Sequence, residues 1–178
     1  MSKGAPRVPP LAWRNRIVGY GAEAPDQLVA NPRNWRIHPT AQQEALLGVL
    51  REVGIVQDVL VNRTTGFVVD GHLRVLLALR DGQATIPVKY VELTPAEEAL
   101  VLATFDPLAA LAGIDQEQLG ALLQEVQTSD AAVQQLLNDL AAEAGVQAPD
   151  VEFPEYDEDA ADDVAWLECP ACGHRWPK

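Results

Sequence analysis

At 178 residues the chain has room for one domain of ordinary size with appendages, and its 48% hydrophobic content is enough to fill a packed core. It holds no apolar run near the roughly 18 residues a membrane span needs and no charged-then-apolar leader, and its two cysteines stand three positions apart rather than in a disulfide framework, so a cytoplasmic protein in a reducing compartment is expected. The net charge of −13 is uneven: residues 1–90 carry eleven Lys/Arg against seven Asp/Glu, residues 91–178 two against nineteen, so the first half can face nucleic acid or phosphates and the second half repels them.

Residues 1–15 are Pro-rich and basic and read as a flexible arm. Arg16-Ile-Val-Gly-Tyr20 reads as a short strand. Asn31-Pro-Arg-Asn-Trp-Arg-Ile-His-Pro39 is a proline-bounded loop dense in polar groups, with Arg33, Arg36 and His38 as candidate phosphate contacts and Trp35 as a core or lid residue. Thr40-Ala-Gln-Gln43 fits a capping box that opens a helix with Leu46, Leu50 and Val53 on one face and a stop at Gly54. Val59-Leu-Val-Asn62 and Phe67–Val69 form an antiparallel hairpin across Arg63-Thr-Thr-Gly66. A helix from His72 to Arg80 is expected to turn Val75, Leu76 and Leu79 inward, and Ile86–Val91 is the next strand.

Thr94-Pro-Ala-Glu97 is a second capping box, with Pro at the first helical position, and its helix is expected to break at Phe105-Asp106-Pro107. Residues 116–145 read as a helical appendage with starts near Asp115 and Asp130, a stop at Gly145, and leucine stripes (Leu119, Leu122, Leu123, Val126; Val133, Leu136, Leu137, Leu140) suited to helix packing or a homodimer surface. Residues 146–163 form an acidic linker expected to be disordered, and residues 164–178 a separate tail.

Two stretches carry chemistry. In Phe67-Val-Val-Asp-Gly-His-Leu-Arg74 a strand ends in Gly and turns at once into a helix, which leaves unpaired N–H groups at a positive dipole end and favours an anion. Arg74 adds a planar, permanently charged fork, and Asp70 or His72 is a candidate proton carrier. Cys169-Pro-Ala-Cys172-Gly-His174 has the form of a zinc knuckle, which offers two thiolates and His174 and leaves a tetrahedral ion short of ligands unless a second chain or partner supplies them.

With these pieces in order, residues from about 27 to 115 resemble the ParB N-terminal domain, the ParB/sulfiredoxin-like fold. The resemblance rests on Asn31-Pro-Arg33, the helix 41–53, Gly54-Ile-Val-Gln57 before a strand, and Asp70-Gly-His-Leu-Arg74, where the family writes G-E-R-R or G-H-x-R. The run Leu100–Asp115 looks most like the ParB-like domains that precede some DNA-modification methylases. The expected fold is therefore α+β, a small mixed sheet with packed helices spanning residues 16–115, followed by the helical appendage and the C-terminal zinc knuckle. The resemblance implies a nucleoside triphosphate (CTP or ATP) with magnesium, phosphates cradled by Gly71, His72 and Arg74, Gly54 and Gln57 beside the nucleotide, and Asp106 at the position of the family's metal-binding Asn. Four departures stand out: His72 replaces the reactive Cys of sulfiredoxin, Asp58 replaces the usual Pro, Asp106-Pro107 replaces an Asn-x-x-Arg element, and neither a helix-turn-helix nor an Asp-Pro-Pro-Tyr methylase motif follows.

The expected function is a nucleotide- or phosphate-binding protein of a phage or mobile element, acting in DNA transactions as a magnesium-dependent NTPase or nuclease with Asp70, His72 and Asp106 at the reaction. The alternative is a non-catalytic adaptor that recruits a DNA-processing protein partner through its acidic C-terminal half. A small-molecule kinase on the same fold is a third reading.

Overall fold

The computed structural model describes residues 12–148, 166–168 and 175–177. Strand β1 (Ile17–Glu23) is followed by a short 3-10 turn at Pro25–Gln27 and, after the Asn/Arg loop, by helix α1 (Thr40–Glu52). Then come β2 (Val59–Asn62), β3 (Val68–Asp70), α2 (His72–Arg80), β4 (Ile86–Val91), α3 (Pro95–Ala110), α4 (Gln116–Glu125) and α5 (Ala131–Ala144). Two short strands, β5 (Trp166–Glu168) and β6 (Arg175–Pro177), pair antiparallel.

The main sheet has the order β1-β4-β2-β3, with β2 parallel to β4 and the other pairs antiparallel. The α+β fold with a small mixed sheet is thus as expected. Val59, Val61, Val68, Ile86 and Val88 of the sheet meet Val75 and Ala78 of α2 in the core, where β-branched residues suit a pleated, buried surface. Gly19 and Gly21 of β1 leave space for the Tyr90 ring, and the Arg63 guanidinium lies 4.5 Å from its centroid.

Three local expectations need correction. Thr40 is the first residue of α1 and not its cap; Pro39 holds the cap position, and Gln43 reaches back to donate to the His38 carbonyl at 2.9 Å. A proline one residue earlier already presets the helical entry, so no hydroxyl cap forms. In α2, Leu76 and Leu79 are half exposed, whereas Leu73, Val75, Leu77 and Ala78 are buried. The segment Leu73-Arg-Val-Leu-Leu-Ala-Leu79 is apolar all round except at Arg74, so its pattern does not choose a face, and packing against the sheet does. Helix α3 runs through Pro107 to Ala110. The carbonyl that loses its partner belongs to Ala103, an exposed residue, so water can replace the missing bond.

Helices α4 and α5 start at Asp115 and Asp130, whose carboxylates accept from the Gln118 N–H and from the Ala132 and Val133 N–H groups, and α5 ends at Gly145 with φ 68°. Of the leucine stripes, Leu123 and Val133 are buried while Leu122 and Leu136 are exposed. Helix α5 returns to α1, and Glu52 at the end of α1 accepts from the Thr128 hydroxyl (2.8 Å) and from the Ser129 and Asp130 N–H groups. These bonds hold the Glu52 carboxyl below its ordinary range. Among the described residues no helix is long and apolar enough to cross a membrane.

Candidate functional site

Helix α2 begins at Gly71, which has φ 93° and offers no side chain to cap the first turn. A Cβ there would lie 3.1 Å from the Val59 methyl, 3.2 Å from the Val59 Cα and 3.1 Å from the Arg74 guanidinium. Both the left-handed backbone and the close approach of β2 therefore require glycine. The position resists any side chain.

Three residues later Arg74 falls on the buried arc of α2, between Leu73, Val75, Leu77 and Ala78, with only 16% of its side chain exposed. A guanidinium so placed is costly unless its donors are met. It donates to Asp70 Oδ2 at 2.9 Å, to Gln57 Oε1 at 3.2 Å and to the Asp58 carbonyl at 3.3 Å, while its Nε is buried without a hydrogen-bond partner among the described residues.

Arg74 forms one wall of a cavity of about 300 Å³. Gly54, Gln57, Leu47 and Leu50 of α1 also line it, together with the apolar Val59, Leu77, Ile86 and Pro87. Arg51 and Asp81, 3.4 Å apart, stand at the rim. The sequence separation of these residues is closed because Gly54, with φ 91°, turns the chain out of α1 toward β2.

On the other side of Asp70 lies Arg36, whose Nη1 is 3.7 Å from Asp70 Oδ1. Its Nε rests against Asp106 of α3, off the N–H axis and so without a hydrogen bond. Arg36, His38 and Asp106 line a shallow depression with Trp35, and His38 shares a 3.0 Å contact with Gln42. Trp35 is a half-exposed cover held by its indole N–H on the Leu102 carbonyl at 3.1 Å. Its place on α3 fits a lid and not the core.

His72 accepts from the Asn31 N–H through Nε2 at 3.3 Å, which ties the Asn/Arg loop to the start of α2. Burial pushes its pKa down, with Asp70 and a bond to the Val68 backbone opposing and the Arg36 and His38 charges adding to the shift. The ring is therefore neutral at pH 7. Arg33 is exposed and lies outside the cavity; its charge acts on Glu98 instead. Cys169, Cys172 and His174 lie outside the described residues, in the span between β5 and β6.

One buried cluster had no signal in the sequence. Glu98, 2% exposed in the first turns of α3, accepts from Asn31 Nδ2 (2.9 Å), Asn62 Nδ2 (2.7 Å) and the Thr65 hydroxyl. Burial raises its pKa, but these hydrogen bonds and the Arg33 charge outweigh that, and the carboxyl sits below its ordinary value. The cluster anchors the Asn31 loop, the β2–β3 hairpin and α3 to one another, and so sets where Arg36 can reach.

The donor set has a bearing on magnesium. Among the described residues no group of three or more His, Cys, Asp or Glu side chains converges. Asp70 and Asp106 both border Arg36, which stands between the two carboxylates.

No protein-family model matches the chain, and no curated protein matches it significantly. Among solved structures it is similar to the C-terminally truncated chromosome-partitioning protein ParB from Caulobacter crescentus complexed with CTP-γ-S, at 22% identity over 73% of each chain and a TM-score of 0.48. It is also similar to a Pnob8-like ParB-N domain, at 12% identity over 92% of this chain and 59% of that one and a TM-score of 0.45. With TM-scores just under one half, neither likeness bears on the chemistry of the site.

Proposed function

We propose that this protein binds a nucleoside triphosphate, with the phosphates at the start of α2 and the base and sugar over the apolar cavity beside it. The observation that carries this reading is Arg74, a guanidinium on the buried arc of a helix that lines a cavity and leaves its Nε unpartnered. Its ion pair with Asp70 holds the guanidinium in place, and the unpartnered Nε leaves a donor for an anion. The uncapped N–H groups after Gly71 face the same charge type, and a helix N-terminus adds a positive dipole end. A ligand with an anionic end and a flat, largely apolar end matches a cavity lined by Arg74 and by apolar side chains. Magnesium would be held by Asp70 and Asp106 together with the phosphates, where it would offset their charge. Phage or mobile-element origin, action on DNA and zinc at Cys169, Cys172 and His174 belong to the same reading and rest on the sequence.

Thermal denaturation of the full chain with CTP, ATP, GTP and UTP, each with and without Mg²⁺, tests it. A ligand at about 100 times its Kd should add roughly 2.7 kcal/mol of stability. Arg74→Ala should abolish the shift for the responding nucleotide while the protein still melts cooperatively. Phosphate release or DNA cutting that the same substitution abolishes would extend the reading to an NTPase or nuclease.

The adaptor reading has one observation in its favour. Leu108 near the end of α3 and Leu111 just after it are exposed, within the acidic half of the chain. A melt that no nucleotide moves would shift the assignment to that role.

A further inference from the structure

The two arginines that flank Asp70 are both ion-paired. Arg74 is held by Asp70 at 2.9 Å, and Arg36 stands between Asp70 at 3.7 Å and Asp106. Two guanidinium charges meet two carboxylates, so no positive charge is left over for an entering anion. Asp70 is the shared partner: one oxygen faces each arginine, and only 23% of its side chain is exposed.

We propose that Asp70 is a built-in counter-anion that makes the site selective for metal-chelated polyphosphate over metal-free anions. The proposal rests on the phosphate reading of the site given above. A phosphate that takes Arg74 and Arg36 must displace Asp70 from them and leave a part-buried carboxylate beside it. Two anions at that range repel strongly where solvent screening is reduced. A divalent cation reverses the sign, because carboxylate and phosphate oxygens are both hard ligands for it. The same side chain therefore opposes a bare anion and assists a chelated one. In the ligand-free protein it keeps two largely buried guanidinium groups paired.

The test uses isothermal titration of the full chain with inorganic tripolyphosphate, in Mg²⁺ and in EDTA, so that base recognition plays no part. The wild type should bind at least tenfold more tightly with Mg²⁺. Asp70→Asn keeps the shape and an acceptor for Arg74 but removes the charge. It should bind metal-free tripolyphosphate roughly tenfold more tightly than the wild type and lose most of the magnesium advantage. Asp139→Asn, which removes a charge from the exposed face of α5, should change neither value. If Asp70→Asn does not melt cooperatively, Asp70→Ser removes the same charge and gives the same readout. A folded charge-removed variant with no metal-free gain, or with the magnesium advantage intact, overturns the proposal while Mg²⁺-dependent binding by the wild type upholds the site. No binding by any variant under either condition overturns the site and the proposal together.

Discussion

At the scale of single residues, the chain spends its buried polar groups on holding one loop in place. Glu98 gathers three donors from three elements, and the Asn31 loop it fixes carries Arg36 to within 3.7 Å of Asp70. Glu98→Gln should cost about 1–3 kcal/mol, since its amide turns N–H groups toward donors that then lack an acceptor. Chemical denaturation at pH 7 measures this, and a variant as stable as the wild type would refute it. The pH dependence has a definite sign. The folded-state pKa of Glu98 is depressed below its ordinary 4.5, so its contribution is present above pH 4.5 and lost as pH falls through the folded value. His72 adds to the same acid limb from a higher start. Its folded-state pKa lies below 6.5, so the unfolded chain binds the extra proton first and stability declines as pH drops below 6.5. In Glu98→Gln the limb below pH 4.5 should become shallower, with Glu97 and Glu52 still contributing to it, while the decline that begins near 6.5 remains.

At the scale of elements, the decisive contact is that of α5 with α1. Gly48 sits in the middle of α1, where local propensity favours Ala by about 1 kcal/mol. A Cβ at Gly48 would lie 2.5 Å from Asp130 Cγ, the cap of α5. Gly48→Ala should therefore destabilise by about 1–2 kcal/mol net, because overpacking exceeds the propensity gain. Hydrogen exchange should show lost protection in α5 and little change in β2, β3 and α2; a stabilised variant with α5 still protected would contradict the docking. Helix α3 makes the converse point. Its Phe105-Asp106-Pro107 looks like a stop, yet the helix continues because the lost bond faces water.

At the scale of the whole molecule, charge is segregated along the chain. The mildly basic first half holds the main sheet, and the acidic second half begins where β4 ends and carries α3, with Leu108 exposed near its end. The Cys169-x-x-Cys172 pair lies between β5 and β6, whose Glu168 and Arg175 are opposite each other. Full-length protein purified without chelators should contain zinc by elemental analysis, and Cys169→Ser should reduce it; metal-free protein would remove zinc from the account.

Much of this was legible in the residues alone. The four strands of the main sheet, the α+β class, the Thr94 capping box, the starts at Asp115 and Asp130 and the stop at Gly145 follow from rules that operate over four or five neighbours, and the phosphate candidates Gly71 and Arg74 follow from one strand–Gly–helix junction. The cavity that joins Gly54, Gln57 and Arg74, the bracket of two arginines around Asp70, the placing of Arg33 outside it and the Glu98 cluster were decided by tertiary structure. Those depend on which face of α2 is buried and how closely the Asn31 loop meets α3. An apolar helix has no preferred face until a sheet is packed against it, and a buried carboxylate has no signature until its donors arrive from elsewhere in the chain.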